Sequence, residues 1–271
     1  MKLGLCFAGG GARGSYQVGV AMGLEELGIL SLVEAYSGTS IGAVNAAFIA
    51  TKPLADLANI WLSSNPEDIK KTESIFSRIR SEKLHLIENG IFEINKLKEL
   101  VSQHVDYQAI LQKDIYVTVS ESGEVDSGLF GLLKASVKHY IQKDRKVQYI
   151  RLADQSQEDV SKCIVASCSI PIVFPAVSME DKQFYDGGLY DNVPVTPLIE
   201  VGCDKIIVIH LQRIDWIIKP HFDGVEFFEI RHSGSLGGIL HFDPQHANRL
   251  IEYGLADVRA LESELRQFIQ T

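Results

Sequence analysis

Apolar runs and helical stretches alternate along the N-terminal part of the chain. Residues 3–8 form a nearly continuous apolar run, which is typical of a strand buried on both faces of a parallel sheet. Residues 15–27 carry apolar side chains at helical spacing, and Gly28 follows where a glycine commonly ends a helix. A second strand is predicted at 32–37 and a helix of small residues at 43–50. The order strand, helix, strand, helix indicates a parallel sheet covered by helices.

The rest of the chain continues this mixed pattern. Helical spacing is found in 53–103, 157–167 and 244–270, and strands are predicted at 115–120, 147–151, 205–211 and 227–232. The segment 121–146 has mixed charge, which predicts an insertion that lies on the surface. Because no repeat or flexible linker interrupts the pattern, we expect a single domain of the α/β class spanning residues 1–271.

Composition and charge narrow the classes of function. Of the 271 residues, 46% are hydrophobic and 23% are charged, as in ordinary soluble globular proteins. The formal net charge of −9 disfavours nucleic acid as a partner, since nucleic-acid binding needs a basic face. It also disfavours tight binding to anionic lipid surfaces, but it is compatible with transient membrane-surface contact through an apolar patch. The apolar run at 3–8 is too short for a signal peptide, so we expect a cytoplasmic protein.

The chain has four cysteines, which lie in apolar neighbourhoods and form no CxxC pair: Cys6, Cys163, Cys168 and Cys203. This distribution predicts reduced, buried thiols in a cytoplasmic protein. No Cys/His cluster in the sequence has the spacing of zinc ligands, so no metal is expected.

A G-x-S-x-G motif, Gly38-Thr39-Ser40-Ile41-Gly42, lies between the second predicted strand and the next helix. A sharp strand-to-helix turn exposes a serine hydroxyl and sets it at the positive end of the helix dipole. Glycines on both sides let the neighbouring backbone approach closely. The motif also occurs in ordinary Gly/Ser turns, so alone it leaves both interpretations of Ser40, nucleophile and structural turn, open.

A glycine-rich loop at 9–14, GGGARG, follows the first predicted strand. Its spacing matches the dinucleotide fingerprint, so a nucleotide-binding oxidoreductase is an alternative function. Such a site needs an acidic residue at the end of the second strand, whereas Glu34 lies in its middle and the Ser40 turn would occupy the ribose position. An oxyanion hole explains the loop better, because consecutive glycines can turn N–H groups toward Ser40. Arg13 either fixes the loop, adds positive charge or forms a structural salt bridge.

A catalytic serine needs a base. Three histidines follow Ser40 in an order that an α/β-hydrolase could use: His210, His232 and His241. That fold normally places several strands before its serine, whereas a single strand–helix unit precedes Ser40 here. Asp186, in Asp186-Gly187-Gly188, is the better candidate, because a partly buried carboxylate with a raised pKa could take the serine proton directly. The structural alternative is an ordinary Asp-Gly turn.

Four segments together resemble the patatin-like phospholipase family. They are GGGARG at 9–14, GTSIG at 38–42 continuing as AVNAA, ASCSIPIVFP at 166–175, and DGGLYDNVPV at 186–195. They occur in the order and spacing of the family, between residue 3 and about residue 212. The segment HFDPQHANRLIEYG at 241–254 is also similar to the C-terminal helix region of bacterial members.

The resemblance implies a three-layer α/β/α fold around a mostly parallel central sheet, and a Ser–Asp dyad without histidine. In that dyad Ser40 is the nucleophile and Asp186 is the base. The implied oxyanion hole lies in the glycine-rich loop, whose candidate residues are Gly9, Gly10, Gly11, Arg13 and Gly14. The glycines that support the elbow and the aspartate turn are Gly38, Gly42, Gly187 and Gly188.

The resemblance also implies a reaction. Family members hydrolyse acyl esters of phospholipids, lysophospholipids or neutral lipids without a metal, so we expect a lipid or acyl-ester substrate, an acyl-enzyme intermediate and no cofactor. A weakly active regulatory protein with the same fold is a further alternative. The intact Ser40 and Asp186 argue against it, because a degenerate site usually loses one such residue.

Overall fold

The computed structural model describes residues 1–63, 97–121, 147–170, 174, 176–179, 182–212, 224–239 and 241–270. Within these ranges eight strands form one sheet: β1 (Leu3–Phe7), β2 (Val33–Thr39), β3 (Asp114–Glu121), β4 (Val147–Arg151), β5 (Val177–Met179), β6 (Lys182–Asp186), β7 (Lys205–Ile209) and β8 (Glu226–Ile230). The strand order is β5-β6-β3-β2-β1-β7-β8, and β4 also pairs with β3.

The helices in the same ranges are α1 (Ser15–Glu26), α2 (Ile41–Thr51), α3 (Leu54–Leu62), α4 (described at 97–104), α5 (Tyr107–Ile110), α6 (Gln157–Ser167), α7 (Thr196–Glu200), α8 (Pro244–Ala260) and α9 (Glu262–Gln270). A short 3₁₀ turn, Gly11–Gly14, leads directly into α1. Across the described ranges, none of these helices combines the length and the apolar character that crossing a membrane would require.

Five adjacent strands, β3-β2-β1-β7-β8, run parallel, and helices cover both faces of this sheet. Side-chain alternation along β1 shows the layers. Leu5 and Phe7 point into the larger core with α1 and α2, while Cys6 points into a smaller core with Leu198 of α7. The α/β class and the α/β/α layering predicted from the sequence and its family resemblance are therefore confirmed.

The edge of β3 is shared by two strands. β2 pairs with it in parallel as far as Thr39, opposite Thr118. The next residue of β3, Val119, pairs with Asp186, the last residue of the antiparallel strand β6. Because β4 occupies the opposite edge of β3 at Val119, β6 continues the edge that β2 leaves. The carboxyl ends of β2 and β6 therefore meet head to head.

Most predicted elements lie within two residues of the observed ones. α2 begins at Ile41, two residues earlier than expected, so that its first turn touches the elbow. The predicted helix at 244–270 is two helices, which separate at Leu261. Of the helical stretch predicted at 53–103, residues 64–96 lie outside the described residues, as does nearly all of the segment 121–146. The four cysteines are buried, as expected.

Helices α1 and α8 pack at very short range, through glycines. A Cβ on Gly19 would lie 1.9 Å from the carbonyl oxygen of Ile251, and a Cβ on Gly254 would lie 2.3 Å from that of Tyr16. The Tyr16 hydroxyl donates a hydrogen bond of 2.7 Å to Asp257 across the same interface. Because α1 is enclosed between the sheet and α8, it is apolar on nearly all sides.

We expect Gly19→Ala to destabilise the fold by about 3 kcal/mol, because the added methyl group would meet backbone that cannot rotate away. Urea denaturation followed by circular dichroism would measure the loss. Gly238→Ala is the matched control, since a Cβ there would meet no atom nearer than 3.8 Å, in His241. Equal stability of the two variants would contradict this close helix packing.

Candidate active site

Ser40 lies on a strained turn between the end of β2 and the start of α2. Its φ of 56° and ψ of −129° make it the one non-glycine residue with positive φ in the described part of the chain. Such a conformation costs on the order of 1–3 kcal/mol and persists only where the surroundings enforce it. The serine is partly exposed and sits at the N-terminus of an 11-residue helix, where the helix dipole favours negative charge.

Two glycines make this turn possible. A Cβ on Gly38 would lie 2.2 Å from the carbonyl oxygen of Gly42, and a Cβ on Gly42 would lie 2.3 Å from that of Phe7. Neither contact could be relieved by a side-chain movement, because each partner is backbone. The backbone therefore approaches the elbow very closely at both glycines of the motif.

Ser167, at the end of α6, binds the backbone of the elbow. The Ser40 N–H donates to the Ser167 hydroxyl over 2.9 Å, and that hydroxyl donates to the carbonyl of Thr118 over 2.7 Å. Ser167 is fully buried. The strained residue is thereby tied to β3, the strand whose edge it flanks.

Asp186 ends β6 and meets Ser40 at the shared edge of β3. Its side chain is only 5% exposed. Burial raises the pKa of the Asp186 carboxyl to about 6, while hydrogen bonding from the Ser40 side chain and from the Gly188 N–H acts in the opposite direction. The Gly188 N–H donates to Oδ1 of the carboxylate over 2.7 Å. The backbone N–H of Asp186 donates to the Ser169 carbonyl over 2.9 Å, which fixes the end of β6.

The Asp-Gly-Gly turn fits closely against β3. A Cβ on Gly187 would lie 2.6 Å from the Thr118 side chain, and one on Gly188 would lie 3.0 Å from Oδ1 of Asp186. Larger residues would displace the carboxylate from the serine. The turn therefore leaves no room for a larger side chain beside Thr118 or beside the Asp186 carboxylate.

Asn192 joins the glycine-rich loop to the aspartate turn. The Gly9 N–H donates to the Asn192 carbonyl over 3.1 Å, and the Asn192 side-chain amide donates back to the Gly9 carbonyl over 3.2 Å. A Cβ on Gly9 would lie 3.3 Å from Cβ of Ser40. The loop is thus held directly alongside the serine.

The N–H groups of the loop differ in their engagement. Three of them donate to backbone carbonyls: Gly9 N–H to Asn192, Ala12 N–H to Ile239 and Arg13 N–H to Gly10. In the described part of the chain, no acceptor is found for the N–H groups of Gly10 and Gly11. Gly11 has a φ of 59°, and Gly14 packs against Ile41 of α2. Two donors on this loop therefore remain available to a ligand.

Arg13 fixes the loop. Its guanidinium donates to the carbonyl of Gly237 over 2.8 Å and to that of Leu211 over 3.3 Å. Of the roles considered for Arg13 from the sequence, loop fixation is the one that these contacts support.

The histidines considered as alternative bases have other partners. Nε2 of His210 lies 3.1 Å from Glu229, and Nδ1 of His232 lies 2.8 Å from Asp257. The ring of His241 stacks on His246. Among the described residues, no group of three or more His, Cys, Asp or Glu side chains is arranged to hold a metal ion.

Ser40 lies on a strained turn between a strand and a helix, at the carboxyl end of a mostly parallel sheet. This arrangement is the nucleophile elbow that is found in α/β proteins. The sequence model of the patatin-like phospholipase family matches residues 5–199. The chain therefore belongs to the patatin-like phospholipase family. The matched residues include the glycine-rich loop, Ser40 and Asp186.

Curated relatives agree with this assignment. The lysophospholipase nte1 of Aspergillus terreus is 26% identical over 214 residues, which cover 79% of this chain and 12% of the relative. An uncharacterized NTE family protein, MT2641 of Mycobacterium tuberculosis, is 26% identical over 217 residues, which cover 78% of this chain and 30% of the relative. The chain therefore spans well under half the length of either protein.

A solved structure shares the fold. The crystal structure of VipD from Legionella pneumophila matches with a TM-score of 0.50 and 13% sequence identity, covering 97% of this chain and 67% of that one. At this identity, the likeness concerns the fold alone.

Sequence reasoning missed the structural roles of Ser167 and Asn192. Both lie in segments noted for their family resemblance, at 166–175 and 186–195. Their roles depend on contacts between distant parts of the chain, since Ser167 lies 127 positions from Ser40 and Asn192 lies 183 positions from Gly9. No local signal marks either residue.

Asp186→Asn should stabilise the folded protein at neutral pH. With a pKa of about 6 instead of the ordinary 3.8, the folded state holds its proton more tightly than the unfolded chain. Ionisation of Asp186 therefore lowers stability as the pH rises from about 4 to above 6, by at most about 3 kcal/mol. The gain in the variant should be largest above pH 7 and vanish near pH 4.

Urea denaturation of both proteins at several pH values would measure this gain. Asp56→Asn is the matched control, because Asp56 is exposed on α3 and its neutralisation should change stability little. An Asp186→Asn variant less stable than the wild type at pH 8 would contradict the burial cost.

Proposed function

We propose that the protein is a serine ester hydrolase that cleaves acyl esters of lipids through a Ser–Asp dyad. Ser40 is the nucleophile, Asp186 is the general base, and the N–H groups of Gly10 and Gly11 form the oxyanion hole. The observation that carries this proposal is geometric: Ser40, the one strained serine in the described residues, directly follows β2, and the buried Asp186 ends β6, where the two strands meet on the edge of β3. Family membership and the lysophospholipase relatives support the reaction class.

A lipid substrate is supported by apolar side chains beside the site. Leu189 is 54% exposed and ends the turn that begins at Gly187. Ile239 is 43% exposed, and its carbonyl accepts the N–H of Ala12 in the glycine-rich loop. Exposed apolar groups on both sides of a polar site suit an acyl chain and transient contact with a lipid surface.

In the first half of the proposed reaction, Oγ of Ser40 attacks the ester carbonyl carbon while Asp186 takes the hydroxyl proton. The negative charge that forms on the carbonyl oxygen is stabilised by the two loop N–H groups and by the N-terminus of α2. The carbon–oxygen bond to the alcohol then breaks. The protonated Asp186 gives its proton to the departing alcohol, and the acyl group remains on Ser40.

In the second half, water attacks the acyl carbon and Asp186 takes a proton from it. The intermediate collapses, the bond to Oγ of Ser40 breaks, and the proton returns to the serine. One carboxyl group thus acts twice as base and twice as acid. A pKa near 6 suits this cycle better than the ordinary value of 3.8, because Asp186 is ionised at neutral pH yet binds a proton more readily.

The wild-type protein should hydrolyse p-nitrophenyl esters, with rates that rise from short to medium acyl chains. Ser40→Ala and Asp186→Asn should each lower kcat/KM by a factor of roughly 10³ or more, since each removes a group that acts directly in bond formation. Initial-rate measurements at fixed pH would test this. Ser31→Ala, which alters an exposed serine whose hydroxyl donates to the Gly28 carbonyl, is the matched control.

Labelling by a fluorophosphonate probe separates a weakly active regulatory protein from a hydrolase. Covalent labelling that depends on Ser40 and Asp186 supports the dyad. Activity that survives in Ser40→Ala would overturn it, and thermal stabilisation by NAD(P) without labelling would favour the nucleotide-binding alternative.

The rate should depend on pH through Asp186. The base must be ionised to accept the serine proton, and its pKa lies at about 6. We therefore expect kcat/KM to fall by about half near pH 6 and about tenfold for each further pH unit below it. A pH–rate profile with a soluble short-chain ester would show this limb. Activity that stays level down to pH 4.5 would contradict a base with a raised pKa.

A further inference from the structure

A cavity of about 320 Å³ opens beside Arg13. Arg13, His210, Arg231 and His232 are among its lining side chains. In the sheet, these residues follow three neighbouring parallel strands. Arg13 follows β1, His210 comes directly after β7, and Arg231 comes directly after β8.

This position is favourable for ligand binding. From β1 the chain continues to β2 on one side, while from β7 it continues to β8 on the other side. The direction of winding therefore reverses between β1 and β7. In open α/β sheets, the crevice at the carboxyl ends of strands where the order reverses is where ligands bind.

Among the described residues that line the cavity, the two side chains that carry a formal charge are arginines, Arg13 and Arg231. The Arg13 guanidinium donates to two carbonyl oxygens, which have no formal charge. Arg231 lies 3.8 Å from Glu229, and the same carboxylate also faces His210 at 3.1 Å. The Glu229 carboxylate thus faces both Arg231 and His210. The two carbonyl oxygens that accept hydrogen bonds from Arg13 do not neutralise its positive charge. A positive cavity stands out in a chain with a net charge of −9.

The chemistry of the lining selects a class of ligand. Arginine presents planar, paired N–H donors that match the oxygens of a phosphate group. The lining also contains Ser235, whose hydroxyl can donate to the same group. A cavity of about 320 Å³ is near the lower limit for small-molecule sites, which suits a phosphate with few attached atoms.

We propose that this cavity binds a phosphate group, either as part of a lipid headgroup or as free phosphate. Arg231 and Arg13 bind the phosphate oxygens, and Arg13 connects the cavity to the glycine-rich loop beside Ser40. The binding itself does not depend on catalysis. Only the headgroup alternative rests on the proposed hydrolase function.

Calorimetric titration of the full chain carrying Ser40→Ala would test the proposal, at one fixed pH and constant ionic strength. The probes are inorganic phosphate and glycerophosphocholine, with chloride as the reference anion. We expect phosphate to bind in preference to chloride. Arg231→Gln should weaken the binding by about tenfold or more, because a charged hydrogen-bonding partner is lost. Arg266→Gln is the matched control, since Arg266 pairs with Glu262 on α9 and should leave the affinity unchanged.

Glu229→Gln should change the phosphate affinity in the opposite direction. Removing this carboxylate should tighten phosphate binding several-fold, because the positive charge of Arg231 is then less compensated. This variant keeps the proposal testable if Arg231→Gln fails to fold. Equal affinity for phosphate in the wild type, Arg231→Gln and Glu229→Gln would overturn the site, as would binding no stronger than that of chloride.

The two sources of phosphate give different results. If the ligand is a headgroup, glycerophosphocholine competes with phosphate. Arg231→Gln then raises KM for a lysophospholipid by a larger factor than KM for a p-nitrophenyl ester, which has no phosphate group. If the ligand is free phosphate, only inorganic phosphate binds. Phosphate binding combined with a lack of esterase activity in the wild-type protein would support the cavity while rejecting the proposed hydrolase function, so the two failures are distinguishable.

Discussion

The site depends on one arrangement of hydrogen bonds, the division of a single edge of β3 between two strands. β2 uses this edge up to Thr118, and β6 uses it from Val119 onward in the opposite direction. Strands that meet in this way bring their carboxyl ends together, so Ser40 and Asp186 become neighbours although they lie 146 positions apart in the sequence. Main-chain hydrogen bonds place the two residues side by side, and side-chain contacts then adjust their positions. Such pairing is rigid, which is what a proton transfer between two side chains requires.

Close packing maintains the arrangement. At Gly38, Gly42 and Gly187, a Cβ would come within 2.6 Å of a neighbouring atom, and at the first two that atom is backbone. The strained φ of Ser40 is stabilised by the same contacts and by Ser167. The strain therefore belongs to a turn that its surroundings enforce on several sides.

Local patterns predicted one part of the molecule well. The unit β1–α1–β2–elbow–α2 is built from consecutive segments, and its apolar spacing, Gly28 and the G-x-S-x-G motif were sufficient to predict it. The helix break at Leu261 was missed because apolar spacing continues across it. The pairing of β6 with β3 was beyond sequence reasoning, because β6 has only five residues and its partner lies far away in the chain. Asp186 became a candidate through its Asp-Gly-Gly turn and then through the family resemblance. Its catalytic role and the single domain over 1–271 stay predictions.

The burial of Asp186 connects stability with the proposed chemistry. A carboxylate that is 5% exposed has lost most of its hydration, and the N–H of Gly188 and the side chain of Ser40 restore only part of it. The fold is therefore less stable at neutral pH than it would be with a neutral side chain at this position. The same cost makes the carboxylate a stronger base, as the proposed reaction requires. Since both effects come from the same desolvation, a change that hydrates Asp186 would lower its pKa toward the ordinary value, stabilise the fold and weaken the proposed base together.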